Sequence, residues 1–277
     1  MFGTRSVRPN PFCMEFRMAL WVRVARGDAA MWGQQEGARI ALYDTAPWDG
    51  AAPTGETVAA DEAVMLAPVT PRNFIGLWNN FHAAAAKQGN AIPALPLWFL
   101  KSTGSITGPD AVITPPSSYA GRVLYEGELG IVIGTPCREV DEAGALAAIF
   151  GYTCVNDVTA LDLLTEDASF PQWARAKGCD TFGPVGPAIA TGLDWRSLQI
   201  RTRLAGRERQ NFPAADMILS PPAIVSLLSR EITLRAGDLI ACGTSLGALP
   251  MRAGQVVEIE IDGIGVLRNR MADALQK

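Results

Sequence analysis

The stretch Tyr125-Glu126-Gly127-Glu128-Leu129-Gly130-Ile131-Val132-Ile133-Gly134 decides how this chain is read. Leu129 to Ile133 is a short apolar run rich in β-branched residues and predicts a strand. Side chains on a strand alternate, so Glu126 and Glu128 share one face while Tyr125, Leu129, Ile131 and Ile133 share the other. Two like charges side by side against an apolar strand repel and resist burial. A bound divalent cation resolves that conflict, because hard cations such as Mg²⁺ take carboxylate oxygens. Solvated glutamates at a half-exposed strand start have the same spacing, so the pair needs partners elsewhere in the chain.

Asp157 is the candidate third ligand. It ends the run Tyr152-Thr153-Cys154-Val155-Asn156-Asp157, and strand ends at a pocket mouth are a common source of functional side chains. Taken alone it equally suits the N-cap of a following helix. Three carboxylates plus waters fit Mg²⁺ or Mn²⁺, or Ca²⁺, better than zinc, which favours His or Cys. His82, the only histidine, stands where an expected strand from Asn73 to Leu77 leads into a short helix. Histidine exchanges protons near neutral pH and is the natural general base; an exposed helix-start histidine has the same sequence signature. Lys177, in Trp173-Ala174-Arg175-Ala176-Lys177-Gly178, is a candidate partner for a substrate carboxylate or a developing oxyanion, with a solvated surface lysine as the plain alternative. Gly243-Thr244-Ser245-Leu246-Gly247 matches G-x-S-x-G. That motif needs a helix after the serine and a histidine later in the chain. A turn and Pro250 come next instead, and His82 precedes it, so a serine nucleophile is set aside.

Composition narrows the class. Of 277 residues 48% are hydrophobic and 19% charged, and the net charge is −4, which describes an ordinary globular chain without the basic tract of a nucleic-acid binder. No apolar run approaches the roughly 18 residues of a spanning helix, and no signal-peptide core opens the chain. The five cysteines show no CxxC spacing and read as free thiols in a reducing cytoplasm.

Residues 1–17 read as a flexible extension, 18–63 as a small N-terminal β unit plus a Pro- and Gly-rich linker over 46–63, and 64–277 as the main domain. Asp141–Phe150 and Pro221–Arg230 read as helices, the first with an Asp N-cap and the second with Pro in its first turn. Hairpins are expected around Ala205-Gly206-Arg207 and Asp262-Gly263, and a turn at Arg235–Asp238 between strands Ile232–Leu234 and Leu239–Cys242. Ala83–Ala86 favours helix, while Gly89, Pro93 and Pro96 interrupt the chain after it. Residues 80–100 are therefore expected to form a mobile lid carrying His82. Strands and helices do not alternate regularly, which argues against a doubly wound parallel sheet.

Taken together these segments resemble the fumarylacetoacetate hydrolase family. Ile75-Gly76-Leu77 through His82, Phe99-Leu100-Lys101, the Glu-x-Glu strand, Gly151-Tyr152-Thr153 with Asn156-Asp157, Trp173 with Lys177 and Asp180-Thr181-Phe182, Gly237-Asp238 with Gly243-Thr244, and Ile261–Gly265 run in the family's order over about residues 65–272. The resemblance implies an α+β, mostly β fold, a mixed β-sandwich roll with the small N-terminal β unit, and a homodimer. It implies a divalent-metal-dependent enzyme that cleaves or rearranges a 2-oxo or 2,4-dioxo acid through a metal-stabilised enolate. Acylpyruvate-type C–C hydrolysis, decarboxylation and isomerisation of a 2-hydroxydienoate all pass through that enolate, and a non-catalytic metabolite binder is the alternative of another class. Carried over by position, Glu126, Glu128 and Asp157 are ligands to Mg²⁺ or Mn²⁺, His82 and Lys177 act on the reacting atoms, and Lys101 and Thr244 bind substrate. Four departures stand out. The family's His-x-x-Glu dyad has Ala85 in place of the Glu. Its Arg and Gln after the metal Asp, which hold the substrate's oxoacid end, are Leu161 and Leu164. Its Asn-Tyr before the histidine is Trp78-Asn79, and its Thr-Gly-Thr-Pro loop is Cys242-Gly243-Thr244-Ser245.

Overall fold

The computed structural model describes residues 18–273; residues 1–17, expected to be an extension, lie outside the described residues. The strand Gly127–Ile133 lies inside a large, mostly antiparallel sheet. Its neighbours are Ile149–Asn156 on one side and Leu239–Ala241 on the other. Beyond these come Gly183–Thr191 and the N-terminal strands Ala19–Arg26, Ala29–Glu36 and Arg39–Tyr43 in one direction, and Phe74–Trp78 and Leu97–Lys101 in the other. A second, five-stranded sheet runs in the order Arg207–Pro213, Gln199–Leu204, Val256–Ile261, Gly265–Met271, Val112–Ile113. Both expected hairpins are here.

Alternation explains how the two sheets meet. Leu129, Ile131 and Ile133 share one core with Ile200, Ile259, Ile261 and Leu267 of the second sheet and with Ile224, Val225 and Leu228 of the helix Pro221–Glu231. Val132 points the other way, into a core with Val155, Val185, Ile189 and Phe74. With both faces covered, the strand reads as a continuous apolar run. Gly127 faces the second sheet, where any Cβ would collide with Thr202 and crowd Gln210. That close approach is why a glycine separates the two glutamates. The fold is thus α+β and mostly β, as the resemblance implied.

Caps and turns obey local chemistry. The Asp141 side chain accepts from Gly144 N–H at 2.8 Å and opens the helix Glu142–Ala148. Ser220 caps Pro221–Glu231, with Pro at its first position.

Three expectations are corrected. The stretch 46–63 is not a bare linker: Pro53–Ala59 is a strand paired with Arg39–Tyr43. Proline is tolerated as the first residue of that strand, which has no neighbour on its outer side. Ile232–Leu234 is not a strand; Leu234 makes a single bridge to Cys137. The expectation of a lid over 80–100 fails at its far end, where Leu97–Lys101 is hydrogen-bonded to Phe74–Trp78 along its whole length. Only residues up to 96 are free of the sheet. No helix among the described residues is long and apolar enough to cross a membrane.

Candidate metal centre

Strand register brings the acidic residues together. Gly127 pairs with Asn156 and Glu128 with Val155. One step beyond, Asp157 N–H donates to the Glu126 carbonyl at 2.9 Å, and Asn156 Oδ1 accepts from Glu126 N–H at 3.1 Å. Glu126 and Asp157 therefore lie across from each other where the two strands end. One carboxylate oxygen from each of Glu126, Glu128 and Asp157 lies within 4.8 Å of the others.

The surroundings set their charges. Glu128 is fully buried; its Oε2 accepts from Gly243 N–H at 2.7 Å, while Oε1 has no partner. Burial, then the Asp157 and Glu126 charges, push its carboxyl well above the usual range, against weaker opposition from Lys177 and the Gly243 N–H. Burial would raise Asp157 too, but the Lys101 and Lys177 ammoniums outweigh it and hold its carboxyl below the usual value. Lys101 Nζ lies 2.7 Å from Asp157 Oδ1, and Lys177 Nζ lies 2.6 Å from Oδ2. Lys177 Nζ also lies 2.8 Å from Glu126 Oε2. Burial alone would lower the Lys177 pKa, yet Asp157, Glu126 and Glu128 more than compensate and keep the amine protonated.

This donor set fits a hard divalent cation. All three groups offer oxygen, they converge, and one buried carboxylate oxygen lacks a donor. With all three carboxylates ionised, as a bound cation would hold them, the two ammoniums leave one net negative charge. A divalent cation would turn that into one net positive charge, a field that attracts anions.

A cavity of about 320 Å³ reaches Glu126 and Lys177 and is lined further by Thr159, Thr244 and several apolar side chains. A larger hollow of about 520 Å³, beside Leu146 and Trp195, carries none of the cluster residues. The structure thus brings Glu126, Glu128, Asp157, Lys177 and Thr244 to one place. The Thr244 hydroxyl donates to the Gly127 carbonyl at 2.9 Å, pinning the backbone between the glutamates. Lys101 is buried behind Asp157, donating to the Val158 and Lys177 carbonyls, and does not line the cavity. His82 is exposed at the start of the helix His82–Gln88, whose cavity-facing residues are Ala84 and Gln88. Ala85, at the family's glutamate position, is buried.

Three supporting contacts escaped the sequence reading. Thr159 Oγ1 donates to Glu126 Oε1 at 2.6 Å. Gln210, from the second sheet, accepts from Gly127 N–H at 3.0 Å and donates to Thr244 Oγ1 at 2.8 Å. Gly243 donates through its backbone at φ +92°, a conformation that favours glycine. Only Thr159 leaves a trace in sequence, two residues after Asp157 and so on its face of an extended chain. Outer partners of ligands typically tune affinity by about 10–100-fold. Thr159→Val is expected to weaken Mn²⁺ binding by roughly tenfold in calorimetry. Unchanged affinity would mean that Glu126 is not held for a cation.

Converging carboxylates, a buried protonated lysine and an adjoining cavity on a two-sheet roll make up a candidate metal centre. The profile of the fumarylacetoacetate (FAA) hydrolase C-terminal family matches residues 73–272, and that of the Rv2993c-like N-terminal family matches residues 20–68. The chain belongs to the fumarylacetoacetate hydrolase family. It is 41% identical over 219 residues to Protein Rv2993c of Mycobacterium tuberculosis, covering 78% of this chain and 81% of that protein. The crystal structure of 2-hydroxyhepta-2,4-diene-1,7-dioate isomerase from Mycobacterium marinum superposes with a TM-score of 0.85 at 36% identity, over 94% of this chain and 100% of that one. That of maleylpyruvate hydrolase from Sphingobium sp. SYK-6 does so at 0.74 and 26%, over 91% and 100%.

Proposed function

We propose that this chain is a divalent-metal-dependent enzyme acting on a 2-oxo or 2,4-dioxo acid, with hydrolytic cleavage of an acylpyruvate-type C–C bond as its reaction. The observation that carries this reading is the convergent carboxylate cluster with its orphaned Glu128 Oε1, set beside a protonated lysine at a cavity. Glu126, Glu128 and Asp157 would hold the cation, which when bound supplies Lewis-acid polarisation of substrate oxygens. Lys177 keeps its proton and offers an N–H to the oxygen that gains negative charge. In hydrolysis water adds at C4, the C3–C4 bond breaks, its electron pair passes into the enolate of the 2-oxo acid, and C3 takes up a proton. The products are a carboxylic acid and a 2-oxo acid.

A second reading, isomerisation or decarboxylation at the same site, is favoured by His82. Hydrolysis needs a base for the water, and His82 is exposed, outside the cavity lining and without the family's glutamate. Loss of CO₂ needs no activated water, and relocation of a proton along an enol needs a proton carrier at the site but no water nucleophile. The similarity to the isomerase from Mycobacterium marinum supports the same reading.

Incubation with Mn²⁺ or Mg²⁺ and a panel of 2,4-dioxo acids, 2-oxo acids and 2-hydroxydienoates separates these outcomes by product analysis. Chelator-sensitive release of a carboxylic acid plus a 2-oxo acid is the expected result. Isomer or CO₂ as product would favour the second reading. Absence of any metal-dependent turnover would move the chain to the metabolite-binding class.

A further inference from the structure

Asn79 and Asn80 follow the strand Phe74–Trp78 and lead into the helix His82–Gln88. Asn79 takes φ +57°, in the left-handed region that asparagine tolerates better than most side chains, and so turns the chain out of the strand. Asn80 is then buried, at 2% exposed, and a buried carboxamide must find partners for its oxygen and its N–H groups. Oδ1 accepts from Leu219 N–H at 2.9 Å. Nδ2 donates to the Cys242 carbonyl at 2.9 Å and to the Leu219 carbonyl at 3.3 Å. Because Leu219 N–H can only donate, the amide oxygen is fixed on that side and an N–H faces Cys242.

The Cys242 carbonyl and the Gly243 N–H belong to one peptide unit, which is planar and turns as a whole. Its N–H donates to Glu128 Oε2 at 2.7 Å. One peptide thus accepts from Asn80 at its oxygen and donates to Glu128 at its nitrogen, and hydrogen bonds in such a chain polarise and strengthen one another. With Oε2 taken, Oε1, which has no partner, is the Glu128 oxygen left for a cation. The approach of the two segments is close. A Cβ on Gly243, at φ +92°, would lie 3.3 Å from both Asn80 Cβ and the Leu77 carbonyl oxygen. The start of the helix is held by other contacts as well. Phe81 bridges to Met217 and meets the Phe212 ring at 4.9 Å, Ile218 N–H donates to the Asn80 carbonyl at 2.8 Å, and Ala83 N–H donates to Asp216 Oδ2 at 3.0 Å. None of these uses the Asn80 side chain.

We propose that Asn80 is a positioning residue of the metal centre: by holding the Cys242–Gly243 peptide it keeps the Gly243 N–H on Glu128 Oε2 and leaves Oε1 for the cation. The inference rests on the proposed cation site at Glu126, Glu128 and Asp157 and names what orients one of its ligands. It also joins that ligand to the segment that carries His82, through a single side chain two residues before the histidine.

A double-mutant cycle read by Mn²⁺ calorimetry on the full chain tests it. Asn80→Ala is expected to weaken Mn²⁺ binding by about tenfold, the lower end of what outer partners of ligands contribute. In the Glu128→Gln background, measured at higher Mn²⁺, the oriented carboxylate is gone. There Asn80→Ala is expected to change the affinity by less than about twofold, the limit of additive behaviour. Asn80→Ser is milder, and its hydroxyl is one bond short of the Cys242 carbonyl; it is expected to repeat the loss in a chain that folds even where the alanine variant does not. Thermal melts of each variant show that the affinity is read on folded protein. An asparagine that only braces the fold would lower the melting temperature and leave Mn²⁺ affinity unchanged, or weaken it equally in both backgrounds. Either result overturns this inference and leaves the cation site standing. If the parent binds no Mn²⁺, the cation site falls and this inference with it.

Discussion

Glu128→Gln is expected to lower Mn²⁺ affinity by more than roughly 100-fold, beyond the 10–100-fold of outer partners, while making the metal-free protein more stable at neutral and alkaline pH. The two effects come from one cause. Glu128 is buried, its Oε1 has no donor, and Asp157 and Glu126 repel its charge. Its folded pKa is raised, so the carboxyl's contribution to stability is fully present below the ordinary glutamate pKa and is lost as pH rises through the folded one. Asp157 has a lowered folded pKa. Its contribution is present above the ordinary aspartate pKa and is lost as pH falls through the folded value. The metal-free parent is therefore expected to be most stable on the weakly acidic side, between those limits. Glutamine keeps an acceptor for the Gly243 N–H but carries no charge, so the alkaline decline should disappear. A gain of about 1 kcal/mol would raise the melting temperature by roughly 2–4 °C for a domain of this size. Melts at weakly acidic and alkaline pH in chelator, with calorimetry beside them, are the measurements. A variant that binds Mn²⁺ as the parent does would show that the ion sits elsewhere. One that melts lower at alkaline pH would show that the Glu128 charge is not a burden.

Two glutamates flanking one glycine were legible because strand alternation is a local rule, and the structure puts both carboxylates in one cluster. Asp157 was legible only as a candidate. What places it opposite Glu126 is antiparallel register with a strand about thirty residues earlier, and pairing of that kind is not written in either segment alone. The sequence could not show the donors that hold the cluster. Gly243 contributes a backbone N–H, which carries no side-chain signature, and Gln210 arrives from the second sheet. Lys101 looked like a substrate ligand because of the family segment around it; in the fold it is a buried counter-charge to Asp157. The strand Pro53–Ala59 was hidden by Pro53, Gly55 and the alanines and acids around it, residues that ordinarily break strands. His82 is the sharpest divergence between motif order and geometry. Its place before Lys101 and the Glu-x-Glu strand matches the family, yet its side chain is exposed at the start of a helix whose cavity-facing positions are Ala84 and Gln88.

Lys177→Met is expected to cut turnover by about 10²–10³-fold, the usual cost of removing one preorganised oxyanion donor, and at the same time to tighten the cation. The opposite signs distinguish an acting group from a strut. Lys177 Nζ bridges Glu126 Oε2 at 2.8 Å and Asp157 Oδ2 at 2.6 Å, so the ammonium competes with a cation for those oxygens. Methionine has similar length and no charge. Without Lys177 the cluster carries three carboxylates against the single ammonium of Lys101, and one more unit of negative charge favours a divalent ion. The metal-free variant should also lose stability, since removing one partner of a buried ion pair leaves the other uncompensated; that cost is typically about 3–5 kcal/mol. Added Mn²⁺ should restore much of it by mass action. The pattern is thus low kcat, tighter Mn²⁺, and a melting temperature unusually dependent on metal. Calorimetry, initial rates on whichever oxoacid the parent consumes, and melts with and without Mn²⁺ read all three. If Lys177→Met instead weakens Mn²⁺ in step with the loss of rate, the lysine shapes the metal site only, and the oxyanion role assigned to it is wrong.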